Sequence, residues 1–192
     1  MLTHTPTKEE MAKRVVRFAD AVPYKSQFID AGIPPEVMEM VTAQSVYPLL
    51  APSDYKGRSA LAPIKSNPGA IISIAETPPG NSPGLHCHET TVENFFCLNG
   101  RFEVSWGDEG ENSIMLEPLD FISVPPGVTR KFTNVSSEIA RLLVVIQPPA
   151  GGNEDRIAYA PQVGREIESK YGAEMVGKLE AIGFRFNAGQ PE

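Results

Sequence analysis

The order of apolar and polar residues divides the chain into three stretches. In the first, Thr7 and Glu10 make a capping-box pattern, and Met11, Val15, Phe18, Ala19 and Val22 follow at helical spacing until Pro23 interrupts them. That spacing predicts one amphipathic helix. Pro34 and Pro35 then open a second short helix carrying Val37, Met38 and Val41 on one side, because proline lacks only an amide hydrogen that the first turn leaves unused. Residues 1–45 therefore read as an N-terminal helical arm. From Val46 to Pro148 the pattern changes to short β-branched and aromatic runs separated by Pro, Gly, Asn and Ser clusters: Ile71 to Ala75, Asn94 to Leu98, Phe102 to Trp106 and Leu142 to Ile146. Residues 46–148 read as an all-β core. After the linker Pro148-Pro149-Ala150-Gly151-Gly152, the residues Ile167, Tyr171, Met175, Leu179 and Ile182 recur mostly four apart, with Gly172 as a break and Gly183 as a stop. Residues 149–192 are thus a linker and a C-terminal helical extension.

Several of the predicted strands are apolar on both parities, with Phe95 and Cys97 on one side and Phe96 and Leu98 on the other. Burial of one sheet face does not account for that. A barrel or sandwich whose outer face is covered by a second subunit or by the terminal helices does, and a homodimer is the expectation.

Composition narrows the function. Sixteen glycines and 18 prolines in 192 residues imply many turns and disfavour a plain helical bundle. A formal net charge of −7, with no local basic patch, argues against nucleic acid and anionic membranes as partners. The longest strongly apolar run, Leu142 to Ile146, is too short to span a bilayer, and Met1 to Pro6 lacks the basic and apolar parts of a secretory signal, so a cytoplasmic protein is expected. Cys87 and Cys97 are the only cysteines, which excludes a disulfide framework and a four-thiolate zinc site.

Chemistry concentrates in Gly80 to Gly100, which holds His86 and His88, two of the three histidines. On a strand, residues two apart share a face, so both imidazoles can stand side by side while Cys87 points away. Glu93 lies past a short loop, where a neighbouring antiparallel strand could return its carboxylate to the same pocket. Two imidazoles and a carboxylate on one face suit iron, manganese, nickel or zinc and leave coordination positions open. Cys97, Phe95, Phe102, Trp106 and Phe132 are read as core. Asn134 and Gly127 are read as serving strand and turn geometry, and Asp120 as a turn-capping or solvated carboxylate. Tyr47, Tyr55 and Tyr159 flank the core and could each supply a hydroxyl. His4, near the terminus, is read as inert.

The segment resembles the first motif of the cupin superfamily: a glycine, five residues, His-x-His, four residues, Glu, six residues and a glycine, matched by Gly80, His86, His88, Glu93 and Gly100. The second motif is matched by Pro125, Gly127 and Asn134. Leu119 stands where the family has glycine, and Arg130 where the family has the histidine that is usually the fourth metal ligand. The resemblance covers roughly residues 65 to 147. It implies a jelly-roll barrel, the cupin double-stranded β-helix, often dimeric, with its pocket inside.

Arg130 leaves two arrangements open. Its guanidinium pairs with Glu93 and takes a cation's place, or it grips a substrate carboxylate or enolate beside a metal held by His86, His88 and Glu93. The second makes Arg130 a catalytic residue and the protein a metal-dependent enzyme acting on a small, carboxylate-bearing organic molecule, with an iron-type dioxygenase as the leading form. A metal-free isomerase or epimerase using a pocket histidine as base, and a ligand-binding module without chemistry, are the alternatives.

Overall fold

The computed structural model describes residues 4–66, 69–149 and 156–190. Its strands are, in chain order, β1 (Ser45–Pro52), β2 (Ile64–Ser66), β3 (Ile71–Thr77), β4 (His86–His88), β5 (Val92–Asn99), β6 (Phe102–Trp106), β7 (Asn112–Leu116), β8 (Phe121–Val124), β9 (Thr129–Asn134), β10 (Ala140–Gln147) and β11 (Ile157–Tyr159). They form two sheets, ordered β2-β1-β3-β10-β5-β8 and β11-β4-β9-β6-β7, antiparallel except for the β1–β2 pair. This is the all-β core that the turn-rich, short-strand pattern predicts, arranged as the jelly-roll barrel that the family resemblance implies. The space between the sheets is filled by Phe95, Cys97, Phe102, Phe132 and Leu142 among others. The Phe132 ring meets Phe95 and Phe102 edge-on, with centroids 5.2 and 5.9 Å away. Trp106 departs from its expected core role. It is half-buried at the end of β6, opposite Asn112 on β7 and Arg130 on β9.

The double-parity apolar pattern has a concrete meaning here. Strand registers line up Tyr47, Ile74, Leu143, Phe96 and Phe121 as one row across five strands of the first sheet. That row faces away from the core. Its members are only partly buried, and Phe121 is 59 % exposed. Of the helical arm, only Phe18 reaches the row, packing edge-on against Tyr47 at 4.9 Å.

The arm itself differs from the periodicity-based expectation. The capping box at Thr7 and Glu10 forms, but the helix it opens, α1 (Lys8–Ala12), ends after five residues, and only a short 3₁₀ turn at Phe18–Asp20 follows. Met11, Val15, Phe18 and Val22 find no core to bury against and stay exposed. A lone helix of this length cannot offset its nucleation cost without tertiary packing. The second predicted helix does have that packing: α2 (Pro35–Val41) buries Val37, Met38 and Val41. A 3₁₀ helix at Tyr24–Ala31, which no periodicity announced, precedes it.

At the other end, α3 (Pro161–Tyr171) and α4 (Ala173–Ala181) break at Gly172, whose φ of 85° is a left-handed value that glycine tolerates, and the chain turns again at Gly183. The linker residues Ala150, Gly151 and Gly152 lie outside the described residues. The C-terminal extension is not wholly helical, since β11 joins the second sheet beside β4. Both extensions then meet in a second hydrophobic cluster that includes Tyr24, Val37, Met38, Tyr159, Ile167 and Leu179. No helix among the described residues is long and apolar enough to cross a membrane.

Leu119, at the motif position where glycine is usual, has a φ of 76° and is 74 % exposed. Its amide donates to the Cys97 carbonyl at 2.9 Å, so the turn keeps the geometry that glycine would favour and the leucine carries the strain. Leu119→Gly is expected to raise stability by about 1 kcal/mol, read as a higher urea midpoint at unchanged slope.

Candidate metal centre

β4 is held between β9 and β11, with His86 opposite Arg130 on one neighbour and opposite Tyr159 on the other. Strand alternation then sends His86 and His88 into the barrel. Cys87 points the other way, into a small cluster with Ala158 and Ala188. Glu93 does not come from a strand adjoining β4. It lies on β5, between Ile146 of β10 and Val124 of β8, in the opposite sheet. The Glu89–Thr91 connection carries the chain across the barrel, so the carboxylate meets the imidazoles face to face. One ligand atom from each of His86, His88 and Glu93 lies within 4.8 Å of the other two, and all three residues are buried. It is the one such His/Cys/Asp/Glu group among the described residues.

The imidazoles are oriented from behind. His86 Nδ1–H donates to the Gly84 carbonyl at 2.7 Å, which assigns the proton to Nδ1 and leaves the Nε2 lone pair for the barrel interior. Gly84 is glycine because the arm and α3 close on it: a Cβ there would stand 2.9 Å from the Met40 carbonyl oxygen and 2.9 Å from Val163 Cγ1. His88 Nδ1 shares a 3.0 Å hydrogen bond with the Thr91 hydroxyl, and its Nε2 lies 3.7 Å from Glu93 Oε2. Burial, followed by the Arg130 charge, pushes the His86 pKa well below the usual imidazole range, so His86 stays neutral with its lone pair available. The Pro125-Pro126-Gly127 turn is tied to the same strand, Gly127 N–H donating to the His88 carbonyl at 2.9 Å.

Arg130 is 1 % exposed and pairs with Glu93, as one of the two arrangements has it, while His86, His88 and Glu93 still line the inner cavity together. Its Nε and Nη2 donate to Glu93 Oε2 at 3.1 and 2.6 Å, and its Nη1 donates to the carbonyls of Val128 and His86 at 3.3 and 3.4 Å. The guanidinium therefore sits behind the carboxylate. It does not line the inner cavity, whose walls include His86, His88, Glu93, Phe132 and Tyr159. Placement of Arg130 as a grip for substrate does not match this geometry, because its donors are directed at Glu93 and two backbone oxygens.

The donor set suits a divalent transition metal. Ligand atoms around such an ion lie about 3.0–3.5 Å apart, so the trio needs to close by an ångström or so. Both Arg130 bonds fall on Oε2, the same carboxylate oxygen that lies 3.7 Å from His88 Nε2, so an ion bound there would share Glu93 with the guanidinium. Three protein ligands would leave further positions free.

A jelly-roll barrel with two histidines and a carboxylate converging inside it defines the class. Residues 73–146 match the family described as the Cupin domain, and the chain carries a cupin domain there. Among solved structures it is similar to the cupin domain of Schizosaccharomyces pombe Cnp3, at 20 % identity over 45 % of this chain and 61 % of that one, TM-score 0.40. It is also similar to the Staphylococcus aureus capsular polysaccharide assembling protein CapF, at 16 % identity over 60 % of this chain and 31 % of that one, TM-score 0.46. A sugar phosphate isomerase of the cupin superfamily from Silicibacter pomeroyi is 16 % identical over 60 % of this chain and 65 % of that one, TM-score 0.43. The chain thus spans less than two thirds of the length of each of these three proteins. No curated protein matches the chain in sequence.

Of the three tyrosines flanking the core, Tyr159 stands with its ring 5.4 Å from His86, Tyr55 lines the inner cavity, and Tyr47 faces outward. Tyr24 and Arg58 also reach that cavity, and neither was singled out by the sequence reading. Arg58 lies in a short 3₁₀ turn (Arg58–Leu61) with no motif around it, so only the fold draws it to the site. Burial raises the Tyr24 phenol to about 12, which keeps it a neutral hydrogen-bonding group.

Removing one partner of a buried ion pair strands the other charge. Arg130→Met is expected to cost about 3–5 kcal/mol, while Arg130→Met combined with Glu93→Leu should recover most of that loss, both read by chemical denaturation.

Proposed function

We propose that the protein is a metal-dependent enzyme acting on a small anionic organic molecule, with an iron-type dioxygenase as its most economical form. The observation that carries this is the convergence of His86, His88 and Glu93 across the two sheets, with each histidine's Nδ1 already engaged. In this reading His86 Nε2, His88 Nε2 and the Glu93 carboxylate would hold iron, manganese, nickel or zinc. The metal would act as a Lewis acid or redox centre with open positions for substrate and a small co-ligand. Arg130 is then a positioning residue. It fixes the carboxylate rotamer and offsets one negative charge, which weakens the trio's grip on a cation relative to a site with a fourth imidazole.

The inner cavity has a volume of about 80 Å³ beside His86, His88 and Glu93. Such space suits dioxygen or water next to a metal. An acid–base reaction using His86 without metal would have to draw on Arg58 beside an enolate, because Arg130 is turned toward Glu93.

Protein expressed without an affinity tag and supplied with ferrous iron, manganese, nickel or zinc should retain close to one equivalent of one of them after gel filtration, measured by plasma emission spectroscopy. His86→Ala should abolish the retention. Wild-type protein that retains none of the four would end this reading, and turnover persisting in strong chelator would favour the isomerase instead.

We also propose a homodimer whose contact is the outward row Tyr47, Ile74, Leu143, Phe96 and Phe121. The row is continuous over five strands and holds no charged side chain, so a second copy related by a twofold axis could match it with the same surface. Sedimentation equilibrium at micromolar concentration should give twice the 20.9 kDa chain mass, and Phe96→Glu should give the monomer.

A further inference from the structure

The inner cavity is lined by His86, His88 and Glu93 of the candidate metal centre. It abuts a second, outer cavity of about 280 Å³, and the two share the side chains of Tyr55, Arg58, Ile157 and Tyr159 as a common wall. We propose that this outer cavity binds the carboxylate of an aromatic or similarly flat organic acid, with Arg58 as the residue that holds the anion. The inference deepens the enzyme reading above and rests on it for the purpose of the bound acid, though not for the geometry.

Three features of the cavity carry the proposal. The first is charge. Its lining holds two cations, Lys56 and Arg58, and no carboxylate, on a chain with 24 acidic and 17 basic residues. Among the described residues no carboxylate lies within salt-bridge distance of Arg58, in contrast to Arg130, whose charge is met by Glu93. A half-buried guanidinium is a permanent cation with five donors. Among the described residues the side-chain acceptor within hydrogen-bond distance of Arg58 is the Tyr159 hydroxyl, to which its Nη1 donates at 3.3 Å, which leaves other donors of the fork for a ligand.

The second is preorganisation. The Arg58 guanidinium carbon lies 4.7 Å from the Phe184 ring centroid and 5.8 Å from that of Tyr24. Gln27 Nε2 donates to the Arg58 carbonyl at 3.0 Å, pinning the turn. An arginine stacked in this way loses less freedom on binding a carboxylate than a surface arginine would, and its planar fork matches carboxylate oxygens two at a time. The third is the shape of the remaining wall. Phe28, Tyr55, Tyr159 and Phe184 supply apolar faces for a flat body, and Tyr159 connects the outer cavity to the candidate metal centre through its contact with His86.

Benzoate and its neutral isostere benzamide serve as probes, titrated calorimetrically into the full chain, once after exhaustive EDTA treatment and once after loading with the retained metal. Benzoate is expected to bind with a Kd near 1 mM or tighter, roughly tenfold or more ahead of benzamide, and within about threefold in the two preparations. Arg58→Gln should weaken benzoate about 10- to 100-fold and leave benzamide unmoved, with Arg58→Lys in between, in variants whose circular dichroism and Tm match wild type. If Arg58→Gln does not fold, the benzoate-to-benzamide ratio in wild type and its decrease in Lys56→Gln decide the matter. Equal affinity for the two probes, unchanged benzoate binding in folded Arg58→Gln, or benzoate binding only to metal-loaded protein would each overturn the proposal. Failure of metal uptake, by contrast, would leave benzoate binding to the EDTA-treated protein intact and would count against the enzyme reading alone.

Discussion

The barrel interior is organised around one buried ion pair. Arg130 and Glu93 come from opposite sheets, and once the sheets close, neither has solvent to satisfy it. A guanidinium with 1 % exposure persists only where its donors are met, and here four hydrogen bonds run to Glu93 and to two backbone carbonyls. The pair therefore does two things at once. It ties the sheets together at the level of the histidines, and it fixes the Glu93 carboxylate beside His88. The histidine usual at this position would have added a neutral donor to a metal. The arginine adds a fixed positive charge behind one of the donors.

In the proposed reading, that exchange shifts the burden of anion recognition. With the Arg130 guanidinium committed inside the wall, the cation available to an anionic molecule is Arg58, which comes from outside the barrel proper. It is brought in by the turn after β1 and held by Phe184 and Tyr24 of the two extensions. The extensions are thus more than appendages. The arm supplies Tyr24 and the C-terminal segment supplies Tyr159 and Phe184, and between them they cover the mouth of a barrel that would otherwise open its histidines to water. Gly84 marks where they meet, and its carbonyl is the same group that orients His86. Packing of the extensions and orientation of a candidate ligand are therefore coupled through a single peptide unit.

Much of this was legible in the residues. Short β-branched runs with turn residues between them describe strands well, because strand alternation and turn chemistry are local. His86, His88 and Glu93 announced themselves by spacing. The breaks at Gly172 and Gly183 followed from glycine alone. Where reading failed, the missing information was tertiary. Met11 to Val22 have helical spacing but nothing to pack on, so periodicity predicted a helix that burial does not support. Trp106 has the composition of core and a place at its margin. Arg58 and Tyr24 have no motif, and β11 is three residues long, too short for alternation to show.

By itself the sequence determined the all-β core, which the family resemblance refined to a jelly roll, together with the inward pair of histidines and the unusual arginine, since each depends on contacts within a strand or on residue identity at a fixed spacing. Only the tertiary structure decided that Glu93 approaches from the opposite sheet, that Arg130 is directed at Glu93 rather than at a ligand, and that Arg58 faces a second cavity. Those outcomes depend on which sheet each strand joins and on what the closed barrel leaves without solvent, and such long-range pairing leaves no local trace in the order of residues.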